Sequence, residues 1–206
     1  MSGNLRRATA RGAMAATLLL AAVAGATSTA LFAGYGPAPF GTRWEKALTL
    51  FPQAEQLPAN RNLGAPVVSG PLVHRLLLEN QRVDGLSKPV RVELRFWKKK
   101  LWTVQVYYGE NADAEVLAML TTALGPSQGD DPDNLLWAKG EVETTAAPKQ
   151  RWFGSADLGL SAEARVWFKK LMRGEWKRPS QADLDEMEDR TPAPGAAATP
   201  AGGHVH

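Results

Sequence analysis

The sequence predicts an α+β domain: an antiparallel β-sheet of about six strands with two short helices on one face. Three observations carry this. Residues 90–96 and 102–108 alternate apolar with polar side chains on either side of Lys98-Lys99-Lys100, the period of half-buried strands joined by a turn. Residues 43–51 and 111–124 place apolar side chains three and four apart, the period of a helix face. Gly- and Pro-bearing breaks separate these runs, as connections between short elements require.

The elements follow in order. Residues 31–41, rich in Gly and Pro, read as a linker. Thr42 caps a first helix over residues 43–51, with Trp44, Ala47, Leu48 and Phe51 inward and Pro52 ending it. Residues 53–71 form a loop, with a short strand at Val67-Val68. A strand over residues 72–79 precedes the Asp84-Gly85 turn, and the 90–108 hairpin follows. Asn111 caps a second helix whose first turn holds Asp113 and Glu115, where acids suit the helix dipole. Its inward stripe reads as Ala114, Leu117, Ala118, Leu120 and Leu124, and Gly125-Pro126 stops it. Short strands follow at residues 135–139, 141–145 and 150–153. Residues 158–169 fit two templates. Leu158, Leu160, Ala162, Ala164, Val166 and Phe168 alternate, whereas Leu160, Ala164, Trp167, Phe168 and Leu171 fit a helix capped by Ser161 and stopped by Gly174. The strand reading is adopted, because it closes the sheet.

The chain has 206 residues, enough for one domain, here residues 42–176, plus tails. It has no Cys, which excludes disulfides, thiolate metal sites and a lipidated cysteine. Net charge is +3, and Arg6, Arg7 and Arg11 account for it, since the other 21 basic residues balance 21 acids. A neutral domain has no global field to draw it to nucleic acid, and nucleic acid is not expected as a partner. Those three arginines precede an apolar run over residues 13–24 and small-x-small triplets ending at Ser28-Thr29-Ala30, the layout of a secretory signal. Residues 1–30 are therefore expected to be a cleaved signal peptide, or an anchor that holds the chain in a membrane through residues 13–33. Either way the domain lies outside the cytoplasm: periplasmic or secreted, or tethered to the inner membrane. Residues 177–206 turn polar and then Pro/Ala/Gly-rich, a composition that buries little, and are expected to be a largely disordered tail.

Few residues invite chemistry. Arg95, Lys98, Lys99 and Lys100, flanked by Trp97 and Trp102, form a basic hairpin that could contact a polyanion; a lysine-rich turn also protects a hairpin from edge pairing. His74 alternates with core candidates and reads as structural. Asp130, Asp131, Asp133 and Asn134 resemble a cation loop in composition, but lack the glycine and distal acid of a calcium loop. His204 and His206 are too few to build a metal centre. No catalytic, cofactor or metal residue is assigned, because no nucleophile elbow, phosphate loop or zinc helix occurs.

Phe40-Gly41-Thr42-Arg43-Trp44-Glu45-Lys46-Ala47-Leu48 with Phe51-Pro52, then the hairpin of Leu94-Arg95-Phe96, Leu101, Val104 and Val106, then Leu124-Gly125-Pro126, resemble the element order of small exported bacterial domains. These are the outer-membrane assembly lipoprotein family that includes BamE and the β-lactamase-inhibitor-like modules. The resemblance spans residues 40–170 and implies a protein-binding scaffold of the cell envelope. The expected function is a non-enzymatic module whose partner is another envelope protein. The alternatives are an exported hydrolase or ligand-binding enzyme, and a membrane-tethered polyanion binder.

Overall fold

The alternation in residues 90–107 builds the centre of a sheet. A computed structural model describes residues 31–66 and 70–173, with Ala182 and Asp185. Its strands are β1 (Gly34–Tyr35), β2 (Ala38–Pro39), β3 (Glu55–Gln56), β4 (Val73–Gln81), β5 (Val90–Trp97), β6 (Lys100–Tyr107), β7 (Leu135–Lys139), β8 (Val142–Ala147) and β9 (Trp152–Asp157). Three α-helices lie within residues 31–173, α1 (Trp44–Leu50), α2 (Asp113–Leu124) and α3 (Leu158–Met172), with a short 3-10 helix at Pro148–Gln150. The architecture is α+β. Strands β3 to β9 form one antiparallel sheet in the order β3-β4-β5-β6-β9-β8-β7, and β1 pairs with β2 alone. No helix among the described residues is long and apolar enough to cross a membrane.

Alternation divides the sheet into two faces. On the first, Leu76, Leu78, Val92, Leu94, Phe96, Val104, Val106 and Phe153 pack against α1, α2 and the β1–β2 pair. The second is also covered, contrary to the expectation of helices on one side only. Leu63 and Ala65, from the segment after β3, pack on Tyr107, Ala147 and Trp152. Helix α3 lays Leu160, Ala164, Trp167 and Phe168 on Leu72, Val73, Trp97 and Trp102. The molecule is thus layered on both sides of its sheet.

Several expectations are corrected. Residues 158–171 are helical, not a strand. The β8–β9 pair already completes the sheet, and helical spacing buries Ala164 and Trp167 together, which period two would not. The α3 cap is Asp157, whose Oδ1 accepts the Leu160 N–H at 2.8 Å, rather than Ser161. Residues 31–41 are not a linker. Gly36, at φ 53°, turns β1 into β2, and Leu31, Tyr35 and Ala38 enter the core. Neither Thr42 nor Asn111 caps a helix; Arg43 and Ala112 occupy those positions without side-chain bonds. In α2 the buried residues are Val116, Met119 and Leu120, a face rotated from the expected one, with Ala114 and Ala118 exposed. Gly125, at φ 86°, stops α2 as expected. The strand expected at Val67-Val68, Gly174 and nearly all of residues 174–206 lie outside the described residues, as do residues 1–30.

Candidate functional site

The densest set of ionisable groups lies on the second sheet face. Pairing sets Arg75 beside Arg95, Leu77 beside Glu93 and Glu93 beside Gln105, so Arg75, Leu77, Glu93, Arg95, Thr103, Gln105 and Tyr107 share that side. Glu93 is fully buried; Arg75, Arg95 and Tyr107 are nearly so. Glu93 Oε1 accepts from Arg75 Nε at 2.5 Å and from Arg95 Nε at 3.0 Å. Its Oε2 accepts from Arg95 Nη2 at 3.0 Å and from the Tyr107 hydroxyl at 2.5 Å. Burial alone would push the Glu93 carboxyl up. The hydrogen bonds and charge of Arg95, with the bonds from Arg75 and Tyr107, outweigh it and hold the carboxyl below the ordinary range.

This cluster reaches outward to the chain that covers it. Arg75 Nη1 donates to the carbonyls of Arg61, at 2.7 Å, and Pro58, at 3.2 Å. Arg95 Nη1 donates to the Pro66 carbonyl at 2.8 Å. Three carbonyls of residues 57–66 are thereby satisfied by two guanidinium forks, which suit such multiple acceptance. Chemically the arrangement is a clamp. A general base must be reachable by its substrate and have a pKa near the working pH, and Glu93 meets neither condition. The alternation Arg91, Glu93, Arg95 reads in sequence as a wet face. Its one distinguishing signal is the mixed sign, which permits internal pairing.

The expected basic hairpin does not converge on one surface. Arg95 points into the clamp. Lys98 pairs with Glu163 of α3 and lies 5.9 Å from the centroid of the Trp97 ring. Lys98 and Lys99, at φ 45° and 58°, form a two-residue turn of the kind that twists with a hairpin. That turn is held on both sides: Lys98 N–H donates to the Leu72 carbonyl at 3.0 Å, and Trp44 N–H to the Lys99 carbonyl at 2.7 Å. Lys100 is already in β6 and largely buried. Burial, then the charges of Arg43 and Lys98, push its pKa down. His74 lies on the first face with its ring centroid 5.1 Å from that of Trp44. In the acidic loop, Asp131 accepts from Asp133 N–H at 2.9 Å and Asn134 Nδ2 at 2.8 Å, and Asp133 pairs with Lys149 at 2.5 Å. Among the described residues no three His, Asp or Glu side chains are grouped to hold a metal. His204 and His206 lie outside the described residues.

A second region was not anticipated: the β7 edge of the sheet. Leu136 and Ala138 turn their main-chain groups away from β8. Residues 127 and 128, arriving from α2, meet all four. Gln128 N–H donates to the Leu136 carbonyl at 2.8 Å, and Leu136 N–H donates to Ser127 Oγ at 3.3 Å. The Gln128 carboxamide accepts from Ala138 N–H and donates to the Ala138 carbonyl, both at 3.2 Å, as a peptide group of an added strand would. Three of the four bonds are long and depend on side chains. Beside this edge, on the first face, Phe32, Leu124, Trp137, Lys139, Val142 and Thr144 line a small pocket of about 40 Å³. The sequence offered one clue, the Ser127-Gln128 pair placed eight to ten residues before its targets.

No family model, curated protein or solved structure matches the chain.

Proposed function

We propose that this chain is an extracytoplasmic, non-enzymatic interaction module that pairs with an extended segment of another envelope protein along β7. One observation carries the reading: the outward main-chain groups of β7 are met by a strand mimic built mainly from two side chains, the half-buried Ser127 and the exposed Gln128. An incoming strand makes the same bonds with true peptide groups. Main-chain bonding of this kind gives affinity, and a neighbouring pocket gives side-chain specificity. The pocket lined by Trp137 and Val142 suits one small apolar side chain of that segment.

Two further facts support the reading. The main ionisable cluster serves as an internal clamp, which leaves recognition to edges and helix surfaces. The domain core takes in Leu31, 1% exposed, directly after the Ser28-Thr29-Ala30 triplet. That position favours removal of residues 1–30 over an anchor reaching residue 33, because Leu31 is buried in the domain.

A photo-crosslinking amino acid in place of Ala138 tests the edge in intact cells. Adducts with another protein are expected from position 138, and none from position 46 on α1. Ser127→Ala combined with Gln128→Ala should raise the yield at 138 by freeing the edge. Absence of adducts at 138, or equal adducts at both positions, would contradict the reading.

A further inference from the structure

We infer that the outer face of α3 is a contact surface for an anionic lipid bilayer. The inner face of the helix is fixed by Trp167, Ala164, Leu160 and Phe168 on the sheet. At about 100° per residue, Ala162, Val166, Lys169, Lys170 and Arg173 then fall within an arc of about 100° facing away from the domain. Val166 is 56% exposed in the middle of that arc, and Met172, at its flank, is 85% exposed. These are the large apolar side chains the described domain leaves most open.

The charges around them are uneven. Arg165 is drawn toward Glu143 at 3.4 Å, and Glu163 is taken by Lys98. Lys169 and Lys170 have no acidic partner among the described residues, and no acid occupies the last two turns of the helix. The surface is therefore basic, with apolar groups set singly between cations. A protein partner binds through a contiguous packed centre. Single apolar groups among flexible lysines instead match a plane of headgroups, where ammonium groups meet phosphate or carboxylate and short apolar side chains reach the acyl boundary. The Lys98–Lys100 turn is a poorer candidate, because its main chain and Lys98 are engaged within the fold.

The chain has no cysteine, so Ala162→Cys gives a single labelling point on the arc. The mature chain from Leu31 to His206, carrying an environment-sensitive fluorophore at position 162, is titrated with phosphatidylserine/phosphatidylcholine vesicles and with phosphatidylcholine vesicles. A second chain labelled through Lys46→Cys serves as the control. Emission at 162 should rise with the anionic vesicles only, while position 46 stays silent. Lys169→Glu with Lys170→Glu should lower the apparent affinity roughly a hundredfold, and 1 M salt should reverse binding. A silent 162 probe, equal responses at 162 and 46, or a doubly reversed chain that binds like its parent would overturn the inference. So would a response to soluble polyglutamate as strong as that to vesicles, or loss of binding through Lys99→Glu alone. Crosslinks at position 138 are read on another element, so either result can fail without the other.

Discussion

At the scale of single residues, Glu93 decides how the second sheet face is closed. It accepts four hydrogen bonds from three side chains, and two of those side chains hold residues 58–66 by their carbonyls. Removing the carboxylate leaves two buried guanidinium groups facing each other. Glu93→Ala is expected to destabilise the fold by about 3–5 kcal/mol, measured by denaturant unfolding. The pH dependence follows from the depressed pKa. Glu93's contribution is fully present above the ordinary glutamate value of about 4.3 and is lost as pH falls through its lower folded value. Glu93→Gln should flatten that acid limb, and an unchanged limb would show that other carboxylates govern it. The three tyrosines report on the same packing. Burial pushes Tyr35 up to about 12 and raises Tyr107 and Tyr108 further, with Glu93 and Asp113 respectively adding to the rise. Spectrophotometric titration of the folded protein should show no phenolate step near pH 10, the ordinary tyrosine value. A step there would mean that these rings are open to water. Little of this was legible beforehand. Alternating charge in β5 looks the same whether water or a clamp lies above it. Only the paired strands, by bringing Arg75 and Arg95 to the same carboxylate, show that Glu93 is shared between two guanidinium groups rather than solvated.

At the scale of elements, α3 shows where periodicity divides. Six alternating apolar positions favoured a strand, and the deciding signal was local: Asp157, three residues before the Leu160 N–H that it accepts. An acid at that position caps a helix, and a strand has no use for it. Asp157→Ala should therefore cost about 1 kcal/mol, seen as earlier loss of the near-ultraviolet signal from Trp97 and Trp167, which pack at 5.2 Å. No change would assign the cap elsewhere. The β5–β6 hairpin was legible from the start, because two alternating runs either side of a short turn admit few other folds. Its turn residues were less so. Lysines at left-handed φ are unfavourable by themselves, and the bonds to Leu72 and Trp44 that hold them come from distant segments. The buried stripe of α2 was misjudged for a related reason: small alanines do not identify an inward face, and Val116 and Met119 reach the core instead.

At the scale of the whole molecule, the sheet is covered on both sides, so the proposals place recognition at its β7 edge and on the outside of α3. The order of helices and strands gave the α+β class. The covering of the second face could not be read, since residues 57–66 carry no periodicity and are placed by side chains on strands far along the chain. Residues 31–41 illustrate the same limit: their Gly and Pro mark a turn, and whether that turn is a linker or a packed hairpin depends on where Tyr35 and Ala38 land. Everything proposed about partners rests on the compartment in which the chain works. The most direct test is fractionation of the native protein with its intact mass. The account predicts an extracytoplasmic product whose first residue is Leu31. Full-length chain in the membrane fraction would contradict removal of residues 1–30, and full-length chain in the cytosol would contradict export and the envelope partner with it.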